Sequence, residues 1–236
     1  MAERLKWFLG ERITPDSLKL AAKQMLEWKY SEQGGWGFLL NEIRPRSIDG
    51  RFIERLVLKE EVVDPVGMVR QYERIIFQET SFLLRHEPPH LELRNAPRSV
   101  TTFLNQLGRA FDFAVAITPV QLNVMRFLSS LENRANGLTV SRITICDMAV
   151  AVGVEAKCVL VGEHDVRRHV RAFTAKRKFQ VSSIAATFVV NGIEMVGEIN
   201  ADGRVVISNN LSTELRTLFR ELVREALREQ IPREGS

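Results

Sequence analysis

Two turn signals late in the chain constrain the fold most. Asn191-Gly192 separates two branched, apolar stretches, residues 179–190 and 193–199. A two-residue type I′ turn needs positive φ at both central positions, and Asn-Gly is the pair that adopts it most readily. Asp202-Gly203 then turns the chain again into residues 204–208. Three strands joined by such short turns form an antiparallel meander, because a parallel crossover needs a dozen or more connecting residues.

The rest of the chain mixes both periodicities. Thr14 is a suitable cap, Pro15 suits the first helical position, and Asp16 complements the helix dipole. Leu18, Ala21, Ala22, Met25 and Leu26 follow at helical spacing, which predicts a helix over residues 14–30. Residues 52–63, bounded by the turn signals Asp49-Gly50 and Asp64-Pro65, and residues 69–84 are rich in branched and aromatic side chains, so both read as strands; HLELR, residues 90–94, is a shorter one. Two central helices are predicted over residues 99–113 and from Thr118-Pro119 to Leu131, the second closed by Asn136-Gly137. Residues 138–152 and 154–161 read as strands hinged at Gly153, residues 164–175 as a short helix, and residues 212–230 as an amphipathic helix before Pro232. The expected class is α+β: antiparallel or mixed sheets with a C-terminal β-meander, two central helices and a C-terminal amphipathic helix. A boundary at Asn136-Gly137 divides an N-terminal α+β region, 1–136, from a C-terminal one, 137–236.

Composition narrows the class of molecule. Of 236 residues, 45% are hydrophobic and 26% charged, which excludes a disordered or fibrous chain. Two cysteines do not make a disulfide scaffold and fit a reducing compartment. No segment approaches the ~20 apolar residues of a membrane span, and the first residues, Met1 to Lys6, lack an apolar signal core. The expectation is a cytoplasmic protein without membrane attachment.

Most motifs dissolve on inspection. His86-Glu87-Pro88-Pro89-His90 has the letters of a zinc HExxH motif, but that motif needs a helix, which the two prolines oppose. His164 and His169 lie five apart, about 500° around a helix, and so point apart. Cys146 and Cys158 lack a CxxC partner and read as buried thiols. Gly34-Gly35-Trp36-Gly37 lacks the GK[ST] ending of a phosphate loop, and Ser182-Ser183 has no GxSxG setting. In the last helix, Arg216, Arg220, Arg224 and Arg228 form an i+4 row opposite Leu215, Leu218, Phe219, Leu222, Ala226 and Leu227, which reads as a salt-bridged solvent face.

Asp147 followed by Glu155-x-Lys157 across Gly153 is similar to the core signature of the PD-(D/E)xK nuclease superfamily. The resemblance spans residues 132–179; Ile145-Cys146 stands where the family's proline precedes the first acid. It implies Asp147 and Glu155 as ligands of a Mg²⁺ ion, Lys157 as the residue placing the attacking water, and Glu132 as a third carboxylate. Magnesium prefers oxygen ligands and stabilises attacking and leaving oxygens of a phosphodiester.

The leading functional expectation is different. From Arg167 to Lys178 the chain reads RRHVRAFTAKRK, six basic residues with no acid, the densest basic run in a chain of net charge +4. Arg167, Arg168, Arg171, Lys176, Arg177 and Lys178 on a helix and its following loop suit neutralisation of phosphates with counterion release. The sequence therefore reads as a non-catalytic binding or accessory protein for nucleic acid or an acidic partner, part of a larger assembly or a homo-oligomer, with no cofactor. The alternatives are the Mg²⁺-dependent nuclease and a protein–protein scaffold without nucleic-acid affinity.

Overall fold

The computed structural model describes residues 2–63, 65–151, 153–174 and 177–227. In chain order the elements are β1 (Glu3–Gly10), α1 (Pro15–Glu27), β2 (Trp36–Arg44), β3 (Ser47–Val63), β4 (Val69–Arg85), β5 (Leu91–Arg94), α2 (Thr101–Ala110) and β6 (Ile117–Pro119). They continue with α3 (Val124–Glu132), β7 (Asn136–Ala151), β8 (Val154–Val161), α4 (Arg167–Thr174), β9 (Gln180–Val190), β10 (Ile193–Asn200), β11 (Arg204–Ile207) and α5 (Thr213–Ala226). The chain forms two compact units, a continuous one of residues 10–117 and a split one of residues 1–9 and 118–236.

This corrects the expected fold class. Antiparallel strands dominate and the five helices are short, so the α+β arrangement around two central helices is not what the chain adopts. The two helices expected at the centre are α2 and α3, and they belong to different units. Each covers its own unit's sheet. Three strands went unread. β6 takes up Thr118-Pro119, the expected start of the second central helix, which begins instead at Val124 behind its cap Asn123. β1 lies in Glu3–Gly10, ERLKWFLG, where charged residues interrupt the apolar pattern. β2 begins at Trp36, inside the glycine cluster that reads as a turn.

In the continuous unit the strand order is β2-β3-β4-β5. Thr14 caps α1 reciprocally with Ser17, and Leu18, Ala21, Ala22 and Met25 are buried. The centre is aromatic: ring centroids of Phe38 and Phe52 lie 5.2 Å apart, Phe52 and Phe103 5.7 Å, and Phe82 and Phe103 5.3 Å. Phe103 thus clamps α2 onto β3 and β4. Gly50, expected as part of a turn, sits inside β3 opposite Phe82. A Cβ there would come within 2.9 Å of the Leu39 carbonyl oxygen and 3.1 Å of the Phe82 ring, so only glycine fits this approach.

In the split unit the order is β1-β11-β10-β9-β7-β8. The meander of β9, β10 and β11 forms as expected, with Asn191 and Gly192 at φ 51° and 75°. One sheet face is buried by α3 and α5, where Phe219 lies 6.3 Å from both Phe127 and Phe188.

A buried carboxylate ties the two ends of this unit together. Glu3 on β1 is only 1% exposed. It accepts hydrogen bonds from the Leu211 N–H at 2.6 Å and from Arg216 Nε at 2.7 Å, just before and within the first turn of α5. Three terms favour that position: two charge-assisted bonds and the positive end of the helix dipole. The arginine row of α5 is therefore not simply a solvent face, since Arg216 neutralises Glu3. Glu225 on the same helix pairs with Arg134 at 2.5 Å. Arg228 lies outside the described residues.

Removing Arg216 leaves a charge buried without its main partner. Arg216→Ala is expected to lower unfolding free energy by about 3–5 kcal/mol, read as a lower urea midpoint with unchanged slope. Arg204→Ala, at an exposed position of β11, is the comparison and is expected to change it by well under about 1 kcal/mol.

Candidate functional site

The basic segment occupies α4 and the approach to β9. Asp165 starts it: its Oδ1 accepts the Arg167 N–H at 2.9 Å. The same carboxylate takes the Arg167 guanidinium through Nε at 3.0 Å and Nη2 at 2.7 Å. Arg167 Nη1 reaches Glu132 Oε1 on α3 at 2.9 Å, and Val166 and Val170 bury the apolar side of α4 in the split unit's core. Arg167 is therefore a clamp that pins α4 to α3, with its charge already neutralised by two carboxylates.

The other described cations of the segment differ. Arg168 is exposed and its Nε donates to His169 Nε2 at 3.0 Å. Arg177 and Lys178 are exposed. Among the described residues, none of these three has a carboxylate within ion-pair distance. Lys176 and the Arg171 side chain lie outside what is described. Phe173 is 45% exposed, whereas Phe179 packs against the core.

Asp147, Glu155 and Lys157 sit on the β7–β8 hairpin, whose turn at Gly153 has φ 72°. Asp147 lies in a bulge of β7, at φ 52°, between the paired positions Ile145↔Cys158 and Met148↔Ala156. Both Ile145 and Met148 are buried although three residues apart, so the bulge shifts the alternation between them. Glu155 pairs in register beside Ala149, and Lys157 faces the bulge; all three side chains are exposed. Glu132 on α3, the expected third carboxylate, is bonded to Arg167 at the start of α4. Among the described residues no three His, Cys, Asp or Glu side chains converge as a metal site.

The remaining sequence candidates are structural. Cys146 and Cys158 are free thiols on neighbouring strands. Burial and the adjacent Asp147 carboxylate push the Cys146 thiol up, away from a reactive thiolate. His86 and His90 flank a loop between β4 and β5, not a helix. His90 Nδ1 accepts the Gly10 N–H at 3.0 Å, and burial with nearby His86 lowers its pKa to about 4. Among the described residues no helix is long and apolar enough to cross a membrane.

Sequence reading missed a second surface. The β3–β4 hairpin has 17 residues in each strand and an unbroken register from Ser47↔Arg85 to Val63↔Val69. β2 accompanies β3 only as far as Trp36↔Glu54, and β5 accompanies β4 only over Ser81–Leu84. Beyond them the ribbon has two strands and both faces exposed. Val57, Leu58, Val62 and Val63 are exposed on β3, and Val69, Tyr72, Ile75 and Phe77 on β4. The signal available in sequence was the length of the two apolar runs, too long for the strands beside them.

No family model matches the chain, and no curated protein is significantly similar to it.

Two pH effects follow. His90 has a folded pKa depressed below its ordinary 6.5, so its contribution to stability is complete above that value and declines as pH falls toward about 4. The urea midpoint is expected to drop across that window, and by less in His90→Gln. Asp165 is also held low: burial raises its pKa, but the Arg167 hydrogen bonds and charge outweigh burial. Its stabilisation is present above the usual carboxylate range and disappears as pH falls through the depressed value. Arg167→Ala should cost about 1–2 kcal/mol at neutral pH and less in acid, measured by urea denaturation at both pH values.

Proposed function

We propose that the chain is a non-catalytic binding protein that holds an anionic macromolecule, in the first place nucleic acid, against the segment running from α4 to β9. The observation that carries the reading is a division of labour within one basic run. Arg167 is consumed by Asp165 and Glu132, while Arg168, Arg177 and Lys178 are exposed and, among the described residues, without carboxylate partners. Exposed cations on and just after a helix that Arg167 anchors can neutralise phosphates with counterion release. Arg171 and Lys176 extend the same run in sequence.

The contribution expected of each cation is sequence-independent and salt-sensitive. Fluorescence anisotropy with duplex and single-stranded oligonucleotides should give an affinity falling with salt, with a log–log slope from three contacts of about −2.7 for duplex and about −2.1 for single strands. Reversing Arg168, Arg177 and Lys178 together to glutamate should abolish that dependence while leaving the fold intact. Salt-insensitive binding, or equal binding by the variant, overturns the reading. Incubation with Mg²⁺ and DNA or RNA separates it from the nuclease alternative, in which Asp147→Ala removes cleavage.

A second reading, a protein–protein scaffold, is favoured by a separate observation: the two-stranded outer part of the β3–β4 hairpin exposes large apolar side chains on both faces. Isolated two-stranded ribbons are marginal in water, and exposed apolar patches of this kind mark association.

A further inference from the structure

The ribbon's outer edge on β3 is written in a self-complementary order. Past Glu54, the last β3 residue paired with β2, the Arg55 N–H still donates to the Gly35 carbonyl at 2.6 Å. From Val57 to Val63 β3 continues, bonded to β4 on one side; among the described residues nothing pairs with the other side. The register with β4 is unbroken there, and neither a bulge nor a proline interrupts residues 57–63. Those are the usual means of blocking an edge, and an unblocked edge is a template for another strand.

A second copy is the occupant this edge fits. Two identical antiparallel strands related by a two-fold axis normal to the sheet must set one residue opposite itself, because directly opposed residues share a face. The segment reads Val57-Leu58-Lys59-Glu60-Glu61-Val62-Val63. Centred on Glu60, Val57 opposes Val63, Leu58 opposes Val62 and Lys59 opposes Glu61, each pair occurring twice. Apolar meets apolar and cation meets anion at every position except the axis. Centred on Lys59, Val57 and Leu58 would instead face Glu61 and Glu60; centred on Leu58, Val57 would face Lys59. The segment carries one cation and two anions, which disfavours a nucleic-acid partner on this edge. Lys59, which alone would guard the edge, becomes a specificity element once Glu61 stands across from it.

We infer that two copies of this chain associate by antiparallel pairing of residues 57–63 of β3, with Glu60 on the two-fold axis, joining two ribbons into a four-stranded sheet. The Lys59–Glu73 pair within the ribbon, 3.9 Å apart and largely exposed, does not compete strongly for the lysine. Pairing covers exposed Val57, Leu58, Val62 and Val63 and satisfies the outward backbone groups. The like charges of the two Glu60 side chains are the one unfavourable pair.

The register makes the test specific. Sedimentation velocity of the full chain should show a monomer–dimer equilibrium at concentrations up to about 0.1 mM. Glu61→Lys sets lysine against Lys59 twice and should weaken the dimer roughly tenfold or more. Adding Lys59→Glu restores opposite charges with their positions exchanged and should return affinity to within about threefold of the original. Glu60→Gln removes the axial repulsion and should tighten the dimer several-fold. All these positions are exposed, and far-UV circular dichroism checks that each variant is folded. A chain that stays monomeric over the whole range overturns the inference. So does a dimer whose affinity is unaffected by Glu61→Lys, or one that the double variant fails to restore. Since Arg168, Arg177 and Lys178 take no part, failure here leaves anion binding at α4 standing, and the reverse.

Discussion

A β-strand satisfies its backbone only sideways. Every donor and acceptor along its two edges needs a partner, and in this chain that requirement decides most of what is observed. In the split unit β9, β10 and β11 are paired by tight turns, and β1, distant in sequence, takes the free edge of β11. In the continuous unit β3 and β4 pair over their full length, but β2 and β5 are too short to follow them. Along residues 57–63 of β3, which pair with β4 alone among the described residues, apolar side chains also reach solvent. Edge and face incompleteness coincide, which is the physical basis for reading the ribbon as an association element.

Buried or half-buried carboxylates do the other organising work. Glu3 holds the start of α5 through Leu211 and Arg216, and Asp165 with Glu132 holds the start of α4 through Arg167. In both cases an acid is matched by an arginine close to the beginning of a helix. These pairs convert residues that look like surface charge into fixed points. They also redistribute the charge available for binding: the basic run beginning at Arg167 loses its first member to structure, and its exposed remainder, Arg168 on α4 with Arg177 and Lys178 before β9, follows that anchored start.

Local chemistry was readable where it is short-range. The capped start of α1, the Asn191-Gly192 hairpin, the meander and the Gly153 turn follow from the residues at those positions. Misreadings came where one residue type serves two purposes. Gly50 marks a close approach to Phe82 and the Leu39 carbonyl, not a turn, and Trp36 opens β2 although glycines surround it. The bulge at Asp147 defeats simple alternation, so the face carrying a side chain there could not be counted from Gly153. The central helices were legible as helices, but periodicity tells which face is apolar and not which sheet covers it.

Residue order alone established an antiparallel meander, the amphipathic faces of the helices and a concentrated run of positive charge, since turn chemistry, helical periodicity and charge are properties of neighbours. Tertiary structure decided which charges are paired, which strands stop short, and that Glu132 is bound to Arg167. Those outcomes depend on residues far apart in the chain. Arg167 is neutralised by Glu132 from 35 positions away, and Arg216 is held by Glu3 from 213 away. No local pattern carries such information, because it exists only once the sheets bring those positions into contact.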